Sequence, residues 1–392
     1  MTATEDVPFG AQLWSNNELP GPGGPRSYLV VRRRGKVRAL LPVDVPRVAQ
    51  SALRNASGSQ SQGQFVLRSL AGMGLRAALR VSVPLPEQVL FVTPGDGVER
   101  LLGHVTGAED GQVAFHFGPP RANLKPVAKI YDGSGRTRAI AKFGGDPLTR
   151  RLVTGEATAL RHLSQHPQSS ALEVPRLLHE GTYGELTFVV QSVVSFAGRQ
   201  RLPPPDRRIE AERAVVSTGQ PSTAPMRSQS YVRDLSDRLH GFDRDEVSRI
   251  VVGAGQRLLR SLEDQSVLTG GSHGDWSPQN ICDTGQRTGA WDWERWESNR
   301  PAGFDALHYR TQTLLADSAH SGPVGVRLLD EAAAVVAPHQ RGLDPGVARS
   351  LAGLYLVEIA HRYLTDRQAD TTSAAGRMNS WLIPALVASS AH

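Results

Sequence analysis

Residues 273 to 280 read HGDWSPQN, and Asp292 follows in GAWDW. Asp275 and Asn280 share one Gly- and Pro-punctuated turn. Turns carry Asp and Asn simply because those side chains satisfy local backbone groups. The second possibility is that they point at a ligand. A divalent cation of the magnesium type takes hard oxygen ligands, one or two from protein and the rest from phosphate and water. Asn280 and Asp292 could form such a pair, and Asp275 would then face a substrate hydroxyl. Asp292 lies in an apolar strand pattern, where an unpaired carboxylate is costly. A metal ion would compensate it, and so would a buried salt bridge.

A second group of residues could supply positive charge. Only Lys36, Lys125, Lys129 and Lys142 are lysines, so each stands out from the arginines. In RTRAIAKF, strand alternation puts Ile140 and Lys142 on one face. The next segment reads as a helix, with Asp146 as N-cap and Pro147 at the first helical position. Its apolar stripe runs through Leu148, Leu152, Leu160 and Leu163, with Glu156 one turn beyond Leu152. A glutamate on an inward stripe needs a cationic partner. Lys142 is the nearest in sequence; a stripe-edge position reaching solvent or Arg150 is the plain alternative.

These residues need elements to position them. Residues 1 to about 25 read as irregular, and SYLVVRRRGKVRALLPV as a hairpin turning at Gly35-Lys36. DVPRVAQSALRN reads as a helix capped by Asp44; a second helix runs to about residue 82, then a strand (QVLFVTP) and a short helix (GVERLLGHV). QVAFHFG, KPVAKIYD and RTRAIAKFG read as three strands separated by GPPRAN and GSG. The helix with Glu156 follows, then the strand LTFVVQSVV. The stretch 196–230, broken by PPP, GQP and TAP, reads as a loop or insertion. A strong helix starts at Asp245 and is expected to end near Gly270-Gly271. ICD and GAWDW form a small hairpin, and 304–392 are helical. The expected organisation is an N-terminal region 1–108, a sheet-bearing region 109–195, a loop 196–230 and a helical region 231–392.

Composition sets the class. With 392 residues there is room for two or three domains and sizeable cores. The N-terminus MTATEDVPFGAQL lacks the apolar stretch of a signal peptide, and no apolar run is long enough to span a membrane. Cys282 is the only cysteine, so a disulfide within the chain or a cysteine-rich metal site is excluded. A cytoplasmic protein is expected. The net charge of +6 comes from scattered basic residues, RRRGK being the densest cluster. No basic stripe interleaves with aromatics, so no nucleic-acid partner is expected.

HGDWSPQN followed by WDWE resembles the aminoglycoside phosphotransferase and choline kinase-like family, over about residues 112 to 365 in element order. The resemblance implies an α+β, protein-kinase-like two-lobed fold. It would have a small antiparallel-sheet N-lobe and a mostly helical C-lobe, here with an extra N-terminal α/β region. It implies a phosphotransferase that uses ATP and Mg2+ and has an alcohol group as acceptor. By resemblance, Asp275 is the catalytic base, and Asn280 and Asp292 bind magnesium. Lys142 meets the phosphates, Glu156 orients it, and Gly118, Ile140 and Gln191 complete the nucleotide-binding set. His273 and Asp305, in FDALH, brace the catalytic loop.

The chain departs from the family at FGPPRANLKP, where two prolines remove backbone donors from the phosphate loop; Arg121, Asn123 or Lys125 would substitute. Residues 1–108 have no counterpart. Glu294, Glu297 and Asp305 interleave with Arg295 and Arg300, which favours a neutral or weakly charged acceptor such as a sugar or amino alcohol over a polycationic aminoglycoside-like one. The competing expectation is a kinase-shaped nucleotide-binding regulatory or interaction protein with little catalytic activity.

Overall fold

The computed structural model describes residues 26–55, 62–81, 88–91, 97–118, 123–166, 169–194, 196, 199–242, 245–317, 324–366 and 378–389. The chain divides into two units, Met1–Gln165 with Val174–Gln200, and His166–Glu173 with Arg201–His392. The fold is α+β, with an antiparallel sheet in the first unit and most of the helices in the second.

The first unit opens with β1 (Arg26–Arg33) and β2 (Lys36–Pro42). Their turn is made by Arg34 and Gly35, both at positive φ (53° and 75°), the backbone that matches the twist of a two-residue hairpin. Helix α1 (Pro46–Arg54) starts at a proline in its first turn. The Asp44 expected to cap it does not: the N-cap is Val45, and Asp44 instead accepts from Ser27 N at 3.3 Å. Then come α2 (Gln62–Arg80), β3 (Gln88–Phe91) and α3 (Val98–Thr106). After them run β4 (Gln112–His116), β5 (Val127–Tyr131) and β6 (Thr137–Gly144). Helix α4 (Pro147–Gln165) follows, then β7 (Leu172–Glu173) of the second unit, and β8 (Leu177–Tyr183) and β9 (Leu186–Ser192) close the first.

The sheet order is β3-β1-β2-β4-β5-β6-β9-β8. It runs through the expected boundary at 108, because β2 pairs with β4 and so covers an edge that would otherwise be left open. Pairing of Val127 with Lys142, Lys129 with Ile140 and Ile140 with Gln191 sets the register. Ile140, Lys142 and Gln191 therefore share one face. The other face buries Phe115, Ala128, Ile130, Ala141, Phe143, Phe188 and Val190 with Leu102 of α3.

In the second unit residues 201–230 are structured, contrary to the loop expected over 196–230. They hold α5 (Pro205–Val216), β10 (Ser222–Pro225) and a 3-10 turn at Met226–Ser228. Their prolines lie where proline is tolerated, at the helix start and in an edge strand. Ala211, Val215 and Met226 are buried. Helix α6 (Ser230–Leu239) leads to α7 (Glu246–Leu262), which begins in a capping box between Asp245 and Ser248. It ends at Leu262, short of the expected Gly270-Gly271; those glycines lie inside β11 (Ser266–Ser272). They are not a helix cap but a close approach: a Cβ at Gly270 would lie 2.5 Å from Val216 O, and one at Gly271 2.4 Å from Val215 O.

A hairpin of β12 (Ile281–Asp283) and β13 (Thr288–Ala290) follows, with β7 parallel to β13, and then β14 (Glu297–Pro301) beside β11. Among the described residues four helices complete the unit: α8 (Phe304–Asp317), α9 (Val324–Val336), α10 (Pro345–Thr365) and α11 (Met378–Ala388). Leu258, Leu307, Leu328, Leu351, Tyr355 and Trp381 lie in one apolar core. No helix among the described residues is long and apolar enough to cross a membrane.

Candidate active site

Strand β11 delivers the chain to His273, where the backbone turns. Gly274 has φ +76°, and a Cβ there would lie 2.3 Å from Arg295 O, so only glycine fits. Asp305, in the first turn of α8, accepts from Ser272 Oγ at 3.0 Å, His273 N at 2.8 Å and Gly274 N at 3.0 Å. Burial pushes the Asp305 carboxyl above its usual range, against the pull of His273 and these donors. The buried His273 ring accepts from Asp275 N at Nδ1 (3.2 Å) and meets Trp291 O at Nε2 (3.0 Å). Those partners select the neutral Nε2–H tautomer, and burial lowers the ring's pKa in the same sense.

Asp275 is held at both oxygens. Asn280 Nδ2 donates to Oδ2 at 2.8 Å and to the Asp275 carbonyl at 3.0 Å. His308 Nε2 lies 3.1 Å from Oδ1, with Arg362 Nη2 at 3.9 Å; Arg362 also donates to Gly274 O at 2.7 Å. The side chain remains 35% exposed, so lone pairs stay accessible to a ligand. Burial acts to raise its pKa, but the His308 side chain and the Arg362 guanidinium outweigh it and hold the carboxyl down at about 2.

Asp292 is not inside a strand, as expected, but beyond one. The pairing of β12 with β13 ends at Ile281 and Ala290, Trp291 N then donates to Asn280 O at 3.1 Å, and the chain swings into φ +70° at Asp292. A non-glycine residue at positive φ is uncommon, and such strain concentrates at functional positions. The Trp291–Asn280 bond brings the backbone before Asp292 against Asn280. The Asn280 amide hydrogens engage Asp275, so its carbonyl oxygen is the end left for a hard cation. Together with the Asp292 carboxylate it could supply oxygen donors of the kind Mg2+ takes.

In the first unit, Lys142 Nζ lies 2.7 Å from Glu156 Oε1, and Gln191 Nε2 donates to the same oxygen at 3.2 Å. Glu156 has no exposed surface. Asp146 Oδ1 caps α4 by accepting from Leu148 N at 2.9 Å and Thr149 N at 3.0 Å, which fixes the helix that carries Glu156. The Arg150 alternative does not apply, since Arg150 donates to Glu185 O. Ile140 lies on the Lys142 face. Gly118 O accepts from Arg38 Nη1 at 2.7 Å, and a Cβ there would make only an ordinary contact with Leu124. Pro119, Pro120 and Arg121 lie outside the described residues.

Among solved structures the chain is similar to a thermostable mutant of the aminoglycoside phosphotransferase APH(4)-Ia in ternary complex with ADP and hygromycin B. Identity is 15%, over 75% of this chain and 99% of that one, with a TM-score of 0.47. It is also similar to the choline kinase LicA from Streptococcus pneumoniae, at 13% identity over 74% and 99% of the two chains, TM-score 0.46. A putative fructosamine-3-kinase from Haemophilus somnus matches at 12% identity over 74% and 96%, TM-score 0.42. No family model matches the chain, and no curated protein does.

Sequence reasoning missed His308, Tyr355 and Arg362. His308 falls in the quoted FDALH, one helical turn after Asp305, a spacing that puts both on one side of α8. That periodicity was the available signal for His308. Nothing local marks Tyr355 or Arg362, because their link to Asp275 is made only by packing of α10.

Proposed function

We propose that the protein is an ATP-dependent kinase that phosphorylates a hydroxyl group of a small molecule. One observation carries the reading: the Asp275 carboxylate is gripped at both oxygens, on a loop that Asp305 pins through three donors, yet stays open to a ligand. In the reaction the acceptor oxygen bonds to the γ-phosphorus, the bond to ADP breaks, and the hydroxyl proton leaves. Asp275 orients the hydroxyl and takes its proton. Its lowered pKa keeps the Asp275 carboxyl ionised and able to accept that proton. This suits a transfer in which positioning and charge neutralisation do most of the catalysis. Asn280 and Asp292 would hold a magnesium ion, which would supply charge neutralisation at the phosphates. Lys142, braced by Glu156 and Gln191, offsets phosphate charge.

The acceptor is a neutral or weakly charged compound. Two acidic groups near the catalytic loop are occupied within the chain: Asp305 by the backbone and Asp366 by Arg295. A polycation would find few free carboxylates among them.

The test is ADP release and label transfer from γ-labelled ATP, across pooled sugars, amino alcohols and aminoglycosides. Asp275→Asn is expected to lower kcat by at least ~10²-fold, the low end for general-base groups. Asp292→Ala is expected to abolish magnesium-dependent nucleotide binding. Wild-type protein that binds no nucleotide in the presence of magnesium overturns the reading.

A further inference from the structure

The geometry points to His308 as the positioning residue of Asp275: a neutral imidazole, set in one tautomer by Tyr355, that donates Nε2–H to Oδ1 and fixes the plane of the carboxylate against Asn280 on the other oxygen. The inference rests on the role given to Asp275 above and extends it to a residue outside the recognised motif.

His308 projects from α8 and is 2% exposed. Both ring nitrogens have directed partners, Asp275 Oδ1 at 3.1 Å and Tyr355 Oη at 3.0 Å. The Tyr355 ring stands edge-on to the imidazole, with centroids 6.0 Å apart and planes at 78°. Tyr355 is itself buried on α10, and burial raises its pKa, so it remains a phenol able to donate to Nδ1. A ring that accepts at Nδ1 carries its hydrogen at Nε2, facing the carboxylate. Burial also lowers the pKa of His308, which keeps the ring neutral despite Asp275.

The other groups around the pair are Thr311 on α8, which hydrogen-bonds Tyr355, Arg362 and Tyr363 on α10, His273 and Asn280 on the catalytic loop, and Asp292 beyond β13. Arg362 Nη2 is 3.9 Å from Oδ1, too far for a hydrogen bond. His308 is thus the hydrogen-bonding partner on that oxygen, and Asn280 is its counterpart on Oδ2. Two donors on opposite oxygens stop rotation of the carboxylate and leave the remaining lone pairs aimed at the acceptor hydroxyl. The Nε2 of this tautomer already carries hydrogen, so the ring orients Asp275 and does not relay its proton.

His308→Leu removes the donor and keeps an apolar filling. Its expected effect is a fall in kcat of roughly 10- to 100-fold, the scale of a misplaced reacting group, with KM for ATP and acceptor unchanged within about twofold. His308→Gln can place an amide N–H near the Nε2 position and is expected to recover kcat to within about fivefold of wild type. Equal losses in the two variants, an unchanged kcat in His308→Leu, or a rise in KM alone overturns the inference. Should His308→Leu fail to fold, Tyr355→Phe takes its place: a drop in kcat at constant KM supports the tautomer-setting role, and no change refutes it.

A wild-type protein without turnover would count against the proposed function but still leaves His308 readable. Ring 15N NMR of the wild type at pH 7 is expected to show the Nε2–H tautomer, with an Nε2–H resonance that moves in Asp275→Ala. An Nδ1–H ring, an imidazolium, or a resonance indifferent to Asp275 sinks the assignment.

Discussion

Replacing Lys142 by Met tests the brace in the first unit. The substitution keeps the length of the side chain and removes its charge, stranding Glu156. That carboxylate has no exposed surface, its Oε1 keeps only Gln191 at 3.2 Å, and its Oε2 has no hydrogen-bond partner among the described residues. Breaking a buried ion pair from one side typically costs about 3–5 kcal/mol.

The expected loss is therefore about 3–5 kcal/mol at pH 7. Lys142→Met with Glu156→Gln removes both charges and is expected to lie within roughly 1 kcal/mol of wild type. Hydrogen exchange of the β6 amides is the suitable assay. Tryptophans 276, 291, 293, 296 and 381 all lie in the second unit, so most of the fluorescence reports the wrong part of the chain. A loss under about 1 kcal/mol at pH 7, or a double variant no better than the single, would refute the reasoning.

Asp305→Ala leaves Ser272 Oγ, His273 N and Gly274 N without their acceptor; at about 1–3 kcal/mol per orphaned buried donor, a loss of at least roughly 3 kcal/mol is expected in urea unfolding followed by tryptophan fluorescence. Asp305→Asn, which still accepts, should lose less, and equal losses would count against the bracing role. Lys129 offers a separate pH test, since burial and the nearby Arg68 lower its pKa from 10.5 to about 8. Between those values the unfolded chain holds more protons than the folded one, so stability rises with pH, by up to about 1.4 kcal/mol per unit from this group. Lys129→Met should lack that rise in chemical denaturation from pH 8 to 10; parallel profiles for variant and wild type would contradict it.

What the sequence determined by itself was local. The caps at Asp146 and Asp245, the alternation that puts Ile140 beside Lys142, the inward position of Glu156 and the turn holding Asp275 and Asn280 are set by neighbours within a few residues. Spacing along the chain therefore exposes them. Tertiary structure decided the rest. Gly270 and Gly271 read as a helix stop, yet they sit in β11 because α5 presses its backbone against them, a contact invisible in a linear pattern. The prolines of 196–230 read as a loop, yet they mark the start of a helix and the end of an edge strand, since proline tolerates those places as readily as turns. Asp292 left its strand because pairing stops at Ala290. The partners of Asp275 on α8 and α10, His308 and Arg362, come from residues far apart in the chain. Only close packing of the helices brings them to one carboxylate, and no periodicity within a single element records which side chains that packing joins.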